Sequence, residues 1–271
     1  MQIHDLVSTI ESLWPLSGAE DWDAPGFAVS HPTEVSKVLL TVDVTADVLA
    51  EAKSIGANFV FSHHPFLLKG ASEVNWDSLK GSVLQQAVRD EISIYSAHTN
   101  ADIVENGVSD TIARSLGLLD IRPLAPTTET QGHGRIGHLS HEISLQDLAA
   151  ALVGLLPFAV RGISVAGDPA RSISTVALCG GAGDAFISNA FESGADVYIT
   201  SDLRHHVTLD AISRPRGDEP MALIDISHWA AESLWLEVAS SQLAEAHPEV
   251  SFAISKLSTD PWNFVLNGRE R

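Results

Sequence analysis

The chain has few cysteines, few basic residues and no long apolar run. Its single cysteine, Cys179, excludes an internal disulfide and suits a reducing compartment. It carries 16 Lys and Arg against 35 Asp and Glu, a net charge of −19, and such an acidic surface repels phosphate backbones, which argues against duplex nucleic acid as a partner. No apolar run approaches the roughly 20 residues that span a bilayer. We therefore expect a cytoplasmic protein with no membrane segment.

The N-terminal segment MQIHDLVSTIESLWPL predicts a helix and not a signal peptide. It contains acids, and its apolar residues recur at helical spacing. The 271 residues suffice for one large domain or for two intimate ones.

An internal repeat organises the chain. Residues 35–64 (VSKVLLTVDVTADVLAEAKSIGANFVFSHH) and 173–202 (ISTVALCGGAGDAFISNAFESGADVYITSD) each run strand, turn, amphipathic helix, Gly-Ala and strand. Their registers agree without a gap, with Val38 and Val176, and Gly56 and Gly194, both 138 positions apart. Each segment is predicted to be a βαβ unit with parallel strands.

A further strand ending in histidine follows each unit. The strands ISIYSAH and MALIDISH end at His98 and His228, and an acid stands four residues beyond each, Asp102 and Glu232. In a helix these positions share one face. The repeat predicts an α/β fold with two similar halves, 1–125 and 126–271, the C-terminal segment being free to pack back on the first half.

The carboxyl ends of the predicted strands carry the chemistry. His63 and His64 end the apolar run in FSHHPF, and ligands of open α/β sheets bind beyond these strand ends. Together with the two His-x-x-x-acid pairs, they form a candidate two-metal site with nitrogen and oxygen ligands, which suits Zn, Mn, Fe or Ni. The alternative is that these are hydrogen-bonded polar groups at strand ends.

Two other segments are open to two interpretations each. CGGAGDA at 179–185 either turns tightly or cradles a phosphate, although it lacks the third glycine of the dinucleotide fingerprint. In SDLRHH, the residues Asp202, Arg204, His205 and His206 either bind an anionic substrate or cap the strand.

Several single residues are expected to be structural. Trp22 is predicted to be buried as a packing anchor, and Cys179 to be buried and inert. Ser144 is predicted to cap a helix with Asp147 as its capping-box partner. Three histidines of the segment 120–145 are expected to face solvent: His133, His138 and His141.

These motifs resemble those of the NIF3 family, whose members are also named GTP cyclohydrolase 1 type 2 homologues. The resemblance covers nearly the whole chain and rests on EDWDAPGF, VLLTVDVT, FSHHPF, YSAHTNAD, VALCGGAG, GADVYITSDLRHH and LIDISHWAAE. It implies a NIF3-like α/β fold of two intertwined domains with a dinuclear metal site at their interface. It also implies a homohexamer.

The resemblance assigns roles to particular residues. It implies two divalent ions held by five ligands: His63, His64, Asp102, His228 and Glu232. The motif does not place His98 among the ligands, so we expect it to transfer protons or orient a ligand. The chain departs from the family at Ser201 and Ser227, usually Gly, and at Ala24, usually Asn; the ligands themselves are kept.

The function expected from this site is metal-dependent hydrolysis of a small molecule. The family name suggests a nucleotide, with opening of the purine ring of GTP and release of formate. One alternative is a metal-binding scaffold or regulatory protein without catalysis. Another is a two-metal phosphoesterase.

Overall fold

The computed structural model describes residues 1–31, 34–71, 73–214 and 220–266. By contacts, the chain divides into two compact units. The first comprises Met1–Ala101 and Leu236–Thr259, and the second Asp102–Trp235 and Asp260–Arg271. The halves predicted from the repeat divide the chain by sequence similarity, whereas these units divide it by contacts, and the two divisions place the boundary differently.

The elements within the described residues follow the predicted α/β pattern. The strands are β1 (Gly26–Val29), β2 (Lys37–Thr41), β3 (Phe59–Ser62), β4 (Ser93–Ser96), β5 (Leu119–Pro126), β6 (Gly132–Ser144), β7 (Ser164–Ala166), β8 (Ser172–Ala182), β9 (Val197–Ser201), β10 (Ala222–Ile226) and β11 (Ser251–Ile254). The α-helices are α1 (Ile3–Leu13), α2 (Ala46–Ser54), α3 (Leu79–Arg89), α4 (Thr99–Asp102), α5 (Val108–Ser115), α6 (Leu145–Leu155), α7 (Ile187–Glu192), α8 (His205–Ile212) and α9 (His228–Ala246). Short 3-10 turns cover Leu16–Gly18 and Asp184–Phe186.

The first unit contains a five-stranded sheet of order β1-β4-β3-β2-β11. β1 is antiparallel to β4, and the other neighbouring pairs are parallel. Thr41 pairs with Ser62, which pairs with Ser96, so three parallel strands end at the same level. Side chains that follow these strand ends therefore meet along one edge of the sheet.

The second unit contains a six-stranded sheet of order β5-β6-β8-β9-β10-β7. β8, β9 and β10 are parallel, whereas β5, β6 and β7 pair antiparallel with their neighbours. β1-β4-β3-β2 in the first sheet thus matches β7-β10-β9-β8 in the second, including the antiparallel edge strand. This match is consistent with the internal duplication, and both βαβ units form as predicted.

The first sheet is buried on both faces. Leu39, Val60 and Ile94 point to one face, where they pack with buried residues of α2 and α3. Phe61 points to the other face and stacks on Trp14, which directly follows α1, with ring centroids 5.3 Å apart. Burial on both faces explains why β3 is an unbroken apolar run before Ser62.

Helix starts follow the sequence signals. Thr45 accepts a hydrogen bond from the Val48 amide at the start of α2. At the start of α6, Ser144 Oγ accepts from the Asp147 amide at 3.0 Å and donates to the Asp147 carboxylate at 2.7 Å. The predicted cap of this helix is therefore confirmed.

A buried arginine ties together loops of the second unit. Arg135 in β6 is 1% exposed, and its Nε donates to Asp110 Oδ1 at 3.0 Å. Its other nitrogens donate to four backbone carbonyls, those of Gly132, Gly134, Ile103 and Val104. Every one of these acceptors would lose a partner if the guanidinium were removed.

We predict that Arg135→Met lowers the free energy of unfolding by about 3 kcal/mol or more, because it leaves a buried carboxylate and several buried carbonyls without this donor. Urea unfolding measures the effect. Arg114→Met is the matched control, since Arg114 also pairs with Asp110 but its side chain is half exposed; it should cost only about 0–1 kcal/mol. Equal losses in the two variants would contradict this account of Arg135.

Candidate metal centre

His63 and His64 directly follow β3, and the hydrogen bonding between β3 and β2 continues through both residues. The His63 amide donates to the Thr41 carbonyl and the His64 amide to the Val42 carbonyl. Ser62 Oγ donates to the His64 carbonyl at 2.9 Å. The His63 residue is fully buried, whereas the His64 side chain is 25% exposed. The backbone of both histidines is therefore fixed by hydrogen bonds.

The two imidazoles are oriented through Nδ1. His63 Nδ1 lies 3.0 Å from the Ala97 carbonyl oxygen, and His64 Nδ1 lies 2.7 Å from Asp43 Oδ1. A carbonyl or an ionised carboxylate only accepts hydrogen bonds, so each Nδ1 carries the proton. In the neutral ring this leaves the lone pair on Nε2, which is the arrangement of a metal-binding histidine.

His98 is held in the same way by Asp23. Its Nδ1 lies 2.7 Å from Asp23 Oδ1, and the Asp23 side chain is fully buried. The other carboxylate oxygen accepts from the Thr99 amide and hydroxyl. Burial would raise the pKa of Asp23, but the hydrogen bonds from His98 and Thr99 outweigh it and lower that pKa to about 2. Asp23 is therefore an anion at neutral pH.

The first unit brings these three histidines together. One ring nitrogen of each lies within 4.8 Å of those of the others. The ring centroids of His63, His64 and His98 are 5.1–5.3 Å apart. Three nitrogen donors this close can supply ligands to a divalent cation.

The second unit pairs His228 with Glu232. His228 begins α9, and its Nε2 lies 2.8 Å from Glu232 Oε1, four residues along the helix. Its Nδ1 lies 2.7 Å from Asp202 Oδ2, as for the other imidazoles. Burial would lower the pKa of His228, but Glu232 and Asp202 raise it to about 11. The hydrogen bond from His228 lowers the pKa of Asp202.

The turns around this pair depend on unusual backbone positions. Asp202 follows β9 with a positive φ of 59°, which few residues other than Gly, Asn and Asp adopt. Ser227 Oγ accepts from the Ala230 amide and so caps α9. The Ser227 hydroxyl thus caps the helix that carries His228 and Glu232.

The glycines of CGGAG make room for side chains. Gly181 has φ +72°, and a Cβ there would lie 2.7 Å from Glu232 Oε1 and 3.4 Å from His228 Nε2. The Gly181 carbonyl accepts from Thr200 Oγ1, and the Gly180 amide donates to Ser109 Oγ. These backbone groups already have partners within the chain. The tight-packing interpretation is therefore favoured over a phosphate cradle.

Asp102 and Cys179 also lie in the second unit. Asp102 ends α4 and is half-buried. Burial, with the nearby carboxylates of Asp102 and Glu232, raises the pKa of Cys179 to about 12. A buried thiol with such a pKa is not a nucleophile at neutral pH, as expected. Both predicted carboxylate ligands are therefore close enough to affect Cys179.

The SDLRHH segment starts α8. Arg204 is the N-cap residue of this helix and pairs with Asp184, while His205 and His206 are exposed with their rings edge to face. The Arg204–Asp184 pair fits the structural alternative, whereas the exposed His205 and His206 decide neither alternative.

The three histidines of 120–145 have local contacts. His138 Nδ1 lies 3.2 Å from Thr175 Oγ1, His141 contacts Ser140, and His133 stacks on Phe186. In the part of the chain that the structure describes, none of the three joins a potential metal-binding group.

Trp22 is not the buried anchor that the sequence predicted. Its residue is 61% exposed, and its ring contacts His98 edge to face with centroids 5.9 Å apart. The turn from Glu20 to Asp23 projects the indole outward, because the buried member of this turn is the Asp23 carboxylate.

The sequence did not predict the oxygen acceptors that contact the imidazole Nδ1 atoms. Asp23, Asp43 and Asp202 each hold one Nδ1, and each lies in one of the quoted motifs. A signal was available, since histidines at a metal site commonly have a carboxylate partner on the second nitrogen. Sequence could not say which acid pairs with which histidine.

Each unit holds donors that suit divalent metal ions. In the first unit, His63, His64 and His98 have Nδ1 on an oxygen acceptor, so Nε2 is the nitrogen that could bind a metal. In the second unit, His228 also has Nδ1 on an oxygen acceptor, while its Nε2 lies 2.8 Å from Glu232 Oε1. Carboxylates of Glu232 and Asp102 add oxygen donors, and no thiolate takes part. This chemistry suits the ions expected from the sequence.

Several known proteins are similar to this chain over nearly its full length. A Streptomyces coelicolor protein named GTP cyclohydrolase 1 type 2 homolog is 38% identical over 270 residues, covering 96% of this chain and 93% of that protein. A Clostridium perfringens protein of the same name is 30% identical, covering 98% of this chain and all of its own. Among solved structures, a Bacillus cereus protein related to NIF3 has a TM-score of 0.90 at 24% identity, covering 98% of this chain and 99% of that one.

No helix among the described residues has both the length and the apolar character needed to cross a membrane. The two-sheet α/β architecture agrees with the fold of the solved relatives. A Staphylococcus aureus hypothetical protein, for example, has a TM-score of 0.87 at 25% identity, and the match covers 98% of this chain and 99% of that one. Residues 1–261 match the model of the family described as Duf34/NIF3 (NGG1p interacting factor 3). The chain belongs to the Duf34/NIF3 family.

Proposed function

We propose that this protein is a metal-dependent hydrolase. The observation that carries the proposal is the shared orientation of four imidazoles, each with Nδ1 on an oxygen acceptor. A purely structural role would need a hydrogen bond from each ring, but it would not need the same nitrogen, Nδ1, to make that bond in all four rings.

The proposed ligands are those that the resemblance implied: His63, His64, Asp102, His228 and Glu232. They would hold two divalent ions, with Zn, Mn, Fe and Ni all compatible with nitrogen and oxygen donors. When bound, such ions lower the pKa of a coordinated water and polarise the group that it attacks. Asp43 and Asp202 then act as positioning residues, because they fix the ring planes of His64 and His228.

His98 is proposed to move the proton. Its Nδ1 proton is held by an anionic Asp23, so Nε2 is the atom that accepts and releases a proton during turnover. The low pKa of Asp23 keeps the carboxylate from taking the proton itself.

The proposed substrate is GTP or a related purine nucleotide, whose ring is opened with release of formate. The support is the name of the curated relatives, GTP cyclohydrolase 1 type 2 homolog. Measuring formate and phosphate in parallel distinguishes ring opening from phosphoester hydrolysis. The hexamer implied by the resemblance stays a prediction.

We predict more than one transition-metal ion per chain in protein prepared without chelator. Elemental analysis measures the ratio, and His63→Ala should lower it, because it removes a ligand nitrogen from a fully buried residue. His138→Ala is the matched control, since His138 is exposed and lies outside the potential metal groups among the described residues. At most one ion per chain after reconstitution would contradict the two-metal proposal.

We predict that His98→Ala keeps the wild-type metal content but lowers formate release about a hundredfold or more, as expected for the loss of a general acid–base group. Elemental analysis and formate assay on the same preparation test both parts. Loss of an ion would show that His98 is a ligand. Full activity would show that it has no role in proton transfer.

We predict that Gly181→Ala lowers metal affinity although residue 181 donates no ligand. The added Cβ would lie 2.7 Å from Glu232 Oε1, and the φ of +72° is unfavourable for alanine, so the carboxylate must move. Zinc titration with a competing chelator measures the affinity. Gly154→Ala, where a Cβ meets nothing within 4 Å, should leave it unchanged. Wild-type affinity in Gly181→Ala would show that Glu232 needs no such clearance.

A further inference from the structure

Trp22 is an exposed indole on a rigid turn. The Asp23 amide donates to the Glu20 carbonyl and closes the turn, and the Glu20 amide donates to Thr99 Oγ1. The buried Asp23 carboxylate accepts from Thr99 and His98 on the other side. Both ends of the turn are therefore tied to the segment that follows β4, and Trp22 stands between them.

Leaving an indole in water on such a turn is unfavourable, because tryptophan gains much stabilisation from burial. Trp22 is 61% exposed, so the fold gains little of that stabilisation. A turn fixed at both ends presents the ring without the entropy cost of ordering the backbone when a ligand binds. These are the properties of a preorganised contact surface for a ligand.

The position of the indole indicates the kind of ligand. Trp22 contacts His98 edge to face, and His98 lies 5.2 and 5.3 Å, between ring centroids, from His63 and His64. A planar ring stacked on Trp22 would lie against the side chain that contacts the imidazole assigned to proton transfer. The net charge of −19 supplies no general attraction for phosphate, so stacking of the base can contribute affinity that charge does not.

We propose that Trp22 binds the purine ring of the substrate by stacking. This inference rests on the proposed function, since it names how the proposed hydrolase recognises its substrate class. Trp22 is a binding residue, and the chemistry stays with the residues already assigned. Stacking tolerates different bases, so both guanine and adenine rings should bind.

Isothermal titration calorimetry on the full-length, zinc-loaded protein tests the proposal, with guanosine and adenosine as probes and ribose as the probe that lacks a base. We expect Trp22→Leu to weaken binding of both nucleosides by about fivefold to a hundredfold, the range for loss of one stacked base. Trp22→Phe should retain most of the affinity, because its ring still stacks. Ribose binding should not change.

Trp76→Leu is the matched control, since Trp76 is 73% exposed and lies outside this turn. It should leave nucleoside binding unchanged. Equal affinity in the wild type and Trp22→Leu would overturn the inference, as would a wild-type protein that binds neither nucleoside. A fall in oligomer mass by light scattering in Trp22→Leu would also overturn it, because Trp22 would then bind a second copy of the chain.

Two measurements separate stacking by Trp22 from hydrolysis. Trp22-dependent nucleoside binding without formate release would support the stacking site and contradict the cyclohydrolase activity. Formate release that is unchanged in Trp22→Leu, with unchanged KM, would support the hydrolase and overturn the stacking site.

Discussion

The hydrogen bond between an imidazole Nδ1 and an oxygen acceptor is the interaction on which the candidate site depends. It occurs at His63, His64, His98 and His228, and each time it places a proton on Nδ1. A single carbonyl or carboxylate thereby fixes both the plane of the ring and its chemical role. Without these bonds each ring could rotate, and its Nε2 would have no fixed direction.

The two sheets supply the backbone positions that these bonds need. In the first, the paired ends of β2, β3 and β4 bring histidines from distant parts of the chain to one edge. In the second, β9 and β10 end together, so that Asp202 meets His228. The glycine at 181 then leaves space for the Glu232 carboxylate. The parallel order of β9 and β10 thus accounts for the placement of Asp202 as well as of His228.

Much of this architecture was predictable, because local patterns carry it. The apolar runs, the Gly-Ala steps and the strand-ending histidines predicted both βαβ units. The partners of the histidines were not predictable, since Asp23 and His98 are 75 residues apart and only folding brings them into contact. The exposure of Trp22 was missed for the same reason. Composition suggests that an indole is buried, whereas the turn that holds it is set by contacts with Thr99.

The most direct test of the account is a crystal structure of the protein grown with Zn²⁺, with anomalous data collected at the zinc edge. We expect anomalous peaks about 2.0–2.1 Å from the Nε2 atoms of His63, His64 and His228. The Nδ1 atoms should stay on Ala97, Asp43 and Asp202. Zinc bound at Nδ1, or the absence of zinc from these histidines, would contradict the claim that their orientation serves metal binding.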